Sequence, residues 1–195
     1  MQLGVVLGVF ALIFVAELPD KTMIATLIMG SRSRPLLVWI GVTAAFGVHA
    51  AIAVLAGGLL ALLPHAWVEG VTALLFAGGA AYLLLVSEEE EEEEGEEEAD
   101  DAPQGLRPIA TAFVVIFIGE FGDLTQILTA NLAAKYHDPL SVFIGAFAAL
   151  AAVGALGAFG GRALLRVLPL AVIRKAGGVL LAGFAVYTLV TLIRG

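Results

Sequence analysis

The sequence predicts an all-α integral membrane protein with six transmembrane helices, arranged as two inverted three-helix repeats. Three observations support this fold class. Of the 195 residues, 60% are hydrophobic and the mean hydropathy is +0.98, which is typical of a membrane protein. Six apolar runs are each long enough to cross a bilayer. The second half of the chain also repeats the first at an offset of about 103 to 105 residues.

The apolar runs define the elements in order. Turn or charge signals separate them, such as SRSRP at 31–35 and KYHDP at 135–139. The first run has no basic segment and no small-residue cleavage site before Glu17, so we expect a retained span and not a signal peptide. The predicted spans are 3–29, 36–62, 66–87, 107–132, 139–161 and 170–193.

The internal repetition defines the domain organisation. The predicted units are 1–87 and 107–195, joined by residues 88–106. Because each unit has an odd number of spans, the second must be inverted relative to the first, as in many secondary transporters. The aligned pairs include Glu17 with Glu120, Asp20 with Asp123, Thr22 with Thr125, Thr26 with Thr129, and Gly41 with Gly145.

The joining segment 88–106 is strongly acidic and contains twelve of the 18 acidic residues. It is of low complexity and self-repelling, so we expect a linker that is disordered or only partly helical. An alternative is a surface that gathers cations at the entrance of a transport path.

The basic residues predict the orientation in the membrane. The side with more basic residues should be cytoplasmic, which places the acidic segment inside and both termini outside. We expect the bacterial inner (plasma) membrane. One side carries Arg32, Arg34, Arg107, Arg162, Arg166, Arg174 and Lys175, and the other carries only Lys135 and Arg194.

Two matching stretches place carboxylates inside apolar runs: FVAELPDKTMIAT at 14–26 and FIGEFGDLTQILT at 117–129. A charged side chain at the bilayer centre costs at least ~2.5–3.5 kcal/mol, so four of them indicate a cation site. On a continuous helix, carboxylates three residues apart share a face. We therefore predict one mid-membrane metal site. Its predicted ligands are Glu17, Asp20, Glu120 and Asp123.

Neighbouring polar residues extend this predicted site. Thr22, Thr125 and Gln126 are further oxygen ligands. Pro19 and Gly122 are helix breakers within the two motifs, and a proline leaves a carbonyl free one turn earlier. Oxygen ligands favour Mg²⁺, Ca²⁺ and Mn²⁺ over Zn²⁺ or Cu⁺. Crowded carboxylates also bind protons, so exchange of protons for a divalent ion is the economical mechanism. The alternative is that the acids only hydrogen-bond neighbouring helices.

Two basic side chains are candidates for proton coupling or charge balance. Lys21 follows Glu17 by four residues and could pair with it, or could extend towards the membrane surface. His49 is a candidate proton relay, although a lone histidine bonded to a neighbouring helix is the more frequent arrangement.

Two copies of Glu-φ-Gly-Asp-[Lys/Arg]-[Ser/Thr], with an acidic central loop, resemble the Golgi, plastid and bacterial manganese/calcium transporter family. This family belongs to the calcium/cation antiporter group. The resemblance covers nearly the whole chain, including GGRALL at 160–165. It implies that the four motif carboxylates are the ion ligands and that Mn²⁺, often with Ca²⁺, leaves the cytoplasm in exchange for protons. Pro19 and Leu124 depart from the motif, and Leu124 removes one basic neighbour of the site.

The sequence therefore predicts a secondary active divalent cation transporter, with Mn²⁺ first and Ca²⁺ second. We expect no enzymatic activity and no cofactor, because the metal is the transported substrate. The expected partners are a divalent ion, protons and the lipid bilayer. Nucleic acid is not expected, and a homo-oligomer is left open. The competing functions are an exporter of a basic amino acid with a similar six-helix build, a membrane anchor and a channel.

Overall fold

The chain folds into α-helices connected by short turns. The computed structural model describes residues 1–18, 20–85, 88–100, 107–167 and 170–194, and within these ranges it contains no β-strand. The helices are α1 (Leu3–Glu17), α2 (Lys21–Arg32), α3 (Pro35–Leu60), α4 (His65–Leu85), α5 (Glu88–Asp100), α6 (Pro108–Gly119), α7 (Leu124–Tyr136), α8 (Pro139–Val167) and α9 (Leu170–Arg194).

The helices confirm an all-α integral membrane protein. Four of them are long and apolar enough to cross a membrane alone, within α3, α4, α8 and α9. The helix pairs α1–α2 and α6–α7 pass the same test only together, and each pair is bent by 74° at a short break. The described part of the chain therefore holds four to six candidate spans, depending on whether each bent pair counts as one.

Both breaks fall on the acidic motifs, which corrects the predicted continuous spans over 3–29 and 107–132. In the first motif, α1 ends at Glu17, and Asp20 adopts extended backbone before α2 begins. Pro19, the predicted breaker between them, lies outside the described residues. In the second motif, Gly122 has a φ of +85°, a conformation that glycine adopts at little cost and other residues avoid. A helix cannot continue through such a residue, so α7 starts anew.

The two halves of the chain contact each other through equivalent positions. A Cβ atom at Gly41 on α3 would collide with the backbone carbonyl of Ile109 on α6. At the aligned position on α8, a Cβ atom at Gly145 would lie 2.6 Å from the carbonyl oxygen of Val6 on α1. Glycine at both places lets helix backbones approach closely. As a result, α1 packs on α8 and α6 packs on α3.

The acidic segment forms a helix over Glu88–Asp100, so of the two expectations, a disordered or an only partly helical linker, the first is wrong over these residues; residues 101–106 lie outside the described part. This helix, α5, packs on α2 through two small residues one turn apart. Ala99 is buried, and a Cβ atom at Gly95 would lie 2.7 Å from the Cβ atom of Ile24. The small residues let the two backbones approach, while five of the six α5 glutamates whose side chains the structure describes are exposed.

Two ion pairs also join α5 to α2. Arg32 Nη1 lies 2.6 Å from Asp100 Oδ1, and Lys21 Nζ lies 3.5 Å from Glu98 Oε1. The Arg32 pair is exposed, whereas both members of the Lys21 pair are largely buried. Burial raises the pKa of the Glu98 carboxyl above its ordinary value, and the Lys21 ammonium partly offsets that shift.

Candidate cation site between two broken helices

The two breaks meet in the core and bring three of the four predicted carboxylates together. One carboxylate oxygen each from Glu17, Asp20 and Glu120 lies within 4.8 Å of the other two. Glu17 belongs to the end of α1, Asp20 precedes α2, and Glu120 follows α6. Their exposed fractions are 1%, 8% and 3%. Both halves of the chain therefore contribute to one buried acidic cluster.

The cluster has the dimensions of a site for a single ion. An ion at the centre of a triangle with sides of 4.8 Å lies about 2.8 Å from each corner, and shorter sides bring it closer. Ca²⁺ binds oxygen ligands at about 2.3–2.6 Å, so small side-chain movements complete the coordination. The oxygen-only ligand set suits Ca²⁺, Mn²⁺ or Mg²⁺.

Unpartnered oxygens in the cluster indicate that it binds a positive species. Both carboxylate oxygens of Glu17 and Oε2 of Glu120 are buried without a hydrogen-bond partner among the described residues. A buried carboxylate without a partner is strongly unfavourable, because it has lost its hydration and gained nothing in return. A bound cation, or a proton on each orphaned group, would compensate for that loss.

Asp123, the fourth predicted carboxylate, is only partly buried and lies outside the three-carboxylate group. Its Oδ2 accepts hydrogen bonds from the backbone N–H and the hydroxyl of Thr125, both at 3.1 Å. Asp123 thereby caps the N-terminus of α7. The aligned Asp20 precedes α2 without a side-chain capping bond among the described residues, which leaves its carboxylate to the cluster.

The sequence predicts that Glu17 and Asp20 share one face of a helix, yet the helix ends between them. At each break one helix ends and the next begins, and helix ends carry carbonyl and N–H groups that have no partner within the helix. Broken membrane helices use such ends to bind ions. The turn, and not the helical face, assembles the cluster.

One predicted threonine ligand, Thr22, lies at the cluster, and the other, Thr125, lies beside Asp123. The hydroxyl of Thr22 contacts Oε1 of Glu120 and lies 3.4 Å from Oδ2 of Asp20, so it links the two halves. The hydroxyl of Thr125 bonds to Asp123. The two threonines occupy aligned positions, one beside the three-carboxylate group and one beside the fourth carboxylate.

Gln126 and His49 bond to each other and not to the carboxylates. The Gln126 Oε1 atom accepts a hydrogen bond from the backbone N–H of Gly122 at 2.8 Å. Its Nε2 atom lies 2.8 Å from Nδ1 of His49. Both polar atoms of the amide thus have partners other than the cluster. The sequence does not predict this hydrogen bond between Gln126 and His49.

Lys21 forms an ion pair with Glu98, a residue outside the two acidic motifs. The ion pair that Lys21 forms among the described residues is with Glu98 on α5 and not with Glu17. The extension of Lys21 towards the membrane surface stays a prediction. A run of glutamates carries no signal that singles out Glu98, because every position has the same side chain. Only the packing of α5 on α2 selects it.

A cavity of about 420 Å³ connects the cluster to the acidic helix. Glu17, Asp20 and Asp123 line it from the two breaks, and Lys21 and Glu94 line it from α2 and α5. A second cavity, about 10 Å³, has room for about one water molecule. Its lining includes Glu120, His49, Thr125, Gln126 and Thr129. The larger cavity therefore reaches Glu17 and Asp20 of the cluster from the side of α5.

A carboxylate cluster buried where two broken membrane helices meet defines an ion-binding membrane protein of the secondary-transporter class. The chain belongs to the divalent cation/proton antiporter GDT1 family, whose model matches residues 5–91 and 108–194. This match confirms the resemblance to the manganese/calcium transporter family. The family consists of transporters and not of enzymes, and its metal ion is substrate and not cofactor.

Several relatives are similar to the chain. Protein PAM71, chloroplastic, from Arabidopsis thaliana is 29% identical over 94% of this chain and 56% of its own length. GDT1-like protein 5 from the same plant is 27% identical over 93% of each chain. A Vibrio cholerae protein named "Putative manganese exporter" is 31% identical over 82% of this chain and 78% of its own. The chain thus spans little more than half of PAM71. No solved structure matches it.

Proposed function

We propose that the chain is a secondary active transporter that exports a divalent cation from the cytoplasm in exchange for protons, with Mn²⁺ as first substrate and Ca²⁺ as second. The observation that carries this proposal is the buried cluster of Glu17, Asp20 and Glu120 with its unpartnered oxygens. Membership of the antiporter family supports the coupling, and the name of the Vibrio cholerae relative supports manganese.

Protons and the divalent cation compete for the same carboxylate oxygens, and this competition explains why one is exchanged for the other. A divalent cation binds the carboxylates in their charged form, so its arrival displaces any protons that they hold. When the ion leaves, the buried carboxylates regain protons, because the charged and unpaired state is the unfavourable one. Glu17 is the strongest candidate for this proton, since neither of its oxygens has a partner among the described residues. The cluster then alternates between an ion-bound and a protonated state.

The proposal includes the six-span inverted repeat, with units 1–87 and 107–195 joined by 88–106. Each bent pair then counts as one span, so that α1–α2 and α6–α7 occupy equivalent places in the two units. Two observations support this topology. The family model matches the chain twice, once in each half. The aligned glycines Gly41 and Gly145 also make reciprocal helix contacts across the molecule.

The orientation completes the proposal. Basic residues concentrate on the side of α5, so we place that side in the cytoplasm of a bacterial cell and both termini outside. The side chains of Arg162, Arg166 and Arg174, which contribute to this count, lie outside the described ones. In this orientation the 420 Å³ cavity is the route from the cytoplasm to the cluster.

Transport by purified protein in liposomes tests the proposal. Mn²⁺, Ca²⁺ and Mg²⁺ are offered with and without a pH gradient, while a dye reports the internal pH. We expect Mn²⁺ uptake to move protons in the opposite direction, and Glu17→Gln to abolish it. The matched control is Glu97→Gln, which neutralises an exposed carboxylate on α5 and should leave transport unchanged.

Two outcomes would contradict the proposal. Uptake of arginine or lysine without uptake of any of the three metals would favour the amino-acid exporter. Mn²⁺ uptake that leaves the internal pH unchanged would retain the transporter and remove the proton exchange. The narrow spacing of the three carboxylates favours a single ion over the amino acid.

A further inference from the structure

A chain of hydrogen bonds crosses the second helix break. The N–H of Gly122 donates to Oε1 of Gln126 at 2.8 Å, and Nε2 of Gln126 lies 2.8 Å from Nδ1 of His49. Nε2 of His49 in turn lies 3.2 Å from the carbonyl oxygen of Phe117. We call these four residues the bracket. It starts in the break, passes through α7 and α3, and returns to α6.

The partners at the two ends determine every donor and acceptor in the bracket. A backbone N–H can only donate, so the oxygen of Gln126 faces Gly122 and its NH₂ group faces His49. Nδ1 of His49 therefore accepts, and its Nε2–H donates to the Phe117 carbonyl. This pattern requires a neutral imidazole, because a protonated ring would present an N–H to the NH₂ group of Gln126.

Two aromatic rings, one before the break and one within it, hold the imidazole of His49 in place. His49 is buried, and its ring stacks on Phe117 with 4.9 Å between ring centroids. Phe121, within the break itself, contacts the ring edge-on at 6.1 Å. These contacts leave the side chain little freedom to turn and carry a proton elsewhere.

At the first break, apolar residues replace the whole bracket. Pro19 aligns with Gly122 and has no N–H to satisfy, and Met23 aligns with Gln126. Val153 on α8 aligns with His49. Met23 and Val153 are both buried and belong to one apolar cluster. The donor, the amide and the imidazole are thus absent together at the first break and present together at the second, as expected for parts of one unit.

The bracket holds the backbone on both sides of Glu120. Phe117 precedes this glutamate by three residues and Gly122 follows it by two. Fixing both points fixes where the Glu120 carboxylate lies relative to Glu17 and Asp20. Losing either anchor frees the break, which already contains a glycine with positive φ.

We propose that His49 and Gln126 are positioning residues of the cation site, which hold the second break through a neutral donor–acceptor bracket, and that His49 does not carry the transported proton. This inference rests on the proposed function for its transport readout. It assigns to the two residues a role different from metal ligation or proton relay.

The test compares His49→Gln, His49→Phe and Gln126→Met in liposomes, with Met23→Leu as the matched control in the first half. An amide at position 49 can still accept from Gln126 and donate to Phe117, so His49→Gln should keep KM for Mn²⁺ within about twofold of wild type. Phenylalanine keeps the stacking but loses both hydrogen bonds, so KM should rise about tenfold, as expected for one or two lost buried hydrogen bonds. Gln126→Met should behave similarly.

Two further readouts separate positioning from proton transfer and from misfolding. The ratio of protons to Mn²⁺ and the pH profile should be the same in all four variants and in wild type. Hydrogen exchange of peptides covering residues 117–126 should be faster in His49→Phe and Gln126→Met, and unchanged in His49→Gln and Met23→Leu. This exchange measurement does not depend on transport.

Three results would overturn the proposal. Wild-type KM and exchange in His49→Phe and Gln126→Met would show that the bracket positions nothing. Loss of proton movement in His49→Gln, with Mn²⁺ binding retained, would make His49 the proton carrier. Equal damage in His49→Gln and His49→Phe would remove the donor–acceptor argument. If wild type moved no Mn²⁺, the proposed function would fail, while hydrogen exchange would still decide whether the bracket holds the break.

Discussion

Replacing Glu17 by glutamine separates the cost of burying the carboxylate from its contribution to ion binding. Glutamine has nearly the same shape, so it fits the same space at the end of α1 and removes only the negative charge. Glu17 is almost fully buried, and neither of its oxygens has a partner among the described residues. We therefore expect opposite consequences for the ion-bound and the ion-free protein.

The loss in ion binding follows from the spacing of the cluster. At an effective dielectric constant of about 20, a divalent ion and a carboxylate 4 Å apart attract each other by about 8 kcal/mol. If desolvation of both groups offsets two thirds of this attraction, about 2.7 kcal/mol remains, which corresponds to about a hundredfold increase in Kd. The spacing of at most 4.8 Å between the ligand atoms places an ion closer than 4 Å, so this value is conservative.

The ion-free protein should hardly change. Without an ion, Glu17 needs a proton to remain buried, and a protonated carboxyl and an amide bury similar polar groups. We expect the free energy of unfolding of Glu17→Gln without metal to stay within about 1 kcal/mol of wild type. The exposed control Glu97→Gln should change neither quantity.

Calorimetry of Mn²⁺ binding in detergent and thermal unfolding without metal measure the two effects. The reasoning fails if Glu17→Gln binds Mn²⁺ within about threefold of wild type, because the carboxylate would then not be a ligand. It also fails if the ion-free variant unfolds several degrees lower, since the carboxylate would then stabilise the fold itself. Equal effects in Glu97→Gln would point to a long-range effect of net charge.

Three other predictions follow from the same structure. Asp20→Asn should raise Kd for Mn²⁺ about a hundredfold, whereas Asp123→Asn should raise it less than tenfold, because asparagine preserves the capping of α7. Equal increases in Kd for the two variants, measured by calorimetry, would refute this distinction. Gly95→Leu should displace α5 from α2, since a Cβ atom there lies 2.7 Å from Ile24, and faster proteolysis of the acidic segment would reveal it. Mn²⁺ at about 100 times its Kd should stabilise the protein by about 2.7 kcal/mol in thermal unfolding, and a chelator should reverse this.

The sequence predicts the unbroken spans well, because hydropathy alone determines them. The structure has helices over most of the predicted ranges 36–62, 66–87, 139–161 and 170–193. The other two spans break inside apolar runs, where hydropathy stays high on both sides. Gly122 was recognisable as a helix breaker, but only its positive φ shows that the chain turns there instead of bending slightly.

The acidic helix and the bracket could not be predicted because they depend on residues far apart in the chain. Gly95 and Ala99 of α5 are one turn apart, yet this spacing has meaning only once α2 supplies a surface to pack against. His49 and Gln126 come from α3 and α7, and no local pattern connects them. The carboxylate cluster could be predicted, because the repeat aligns Glu17 with Glu120 and so indicates that each half of the chain contributes to one site.

The repeat suggests four equal ligands, but aligned carboxylates have different hydrogen-bond partners in the structure. Asp20 and Asp123 occupy aligned positions before aligned helices, but only the Asp123 side chain accepts a hydrogen bond from a backbone N–H of its own helix. A carboxylate that caps a helix has fewer free lone pairs for an ion, so we expect Asp123 to contribute less to ion binding than the other three carboxylates. The bracket reinforces this difference, since it fixes the second break while the first is closed by apolar packing. The segment that carries Glu120 is thus held by the hydrogen bonds of the bracket. The segment that carries Glu17 and Asp20 is held by apolar contacts.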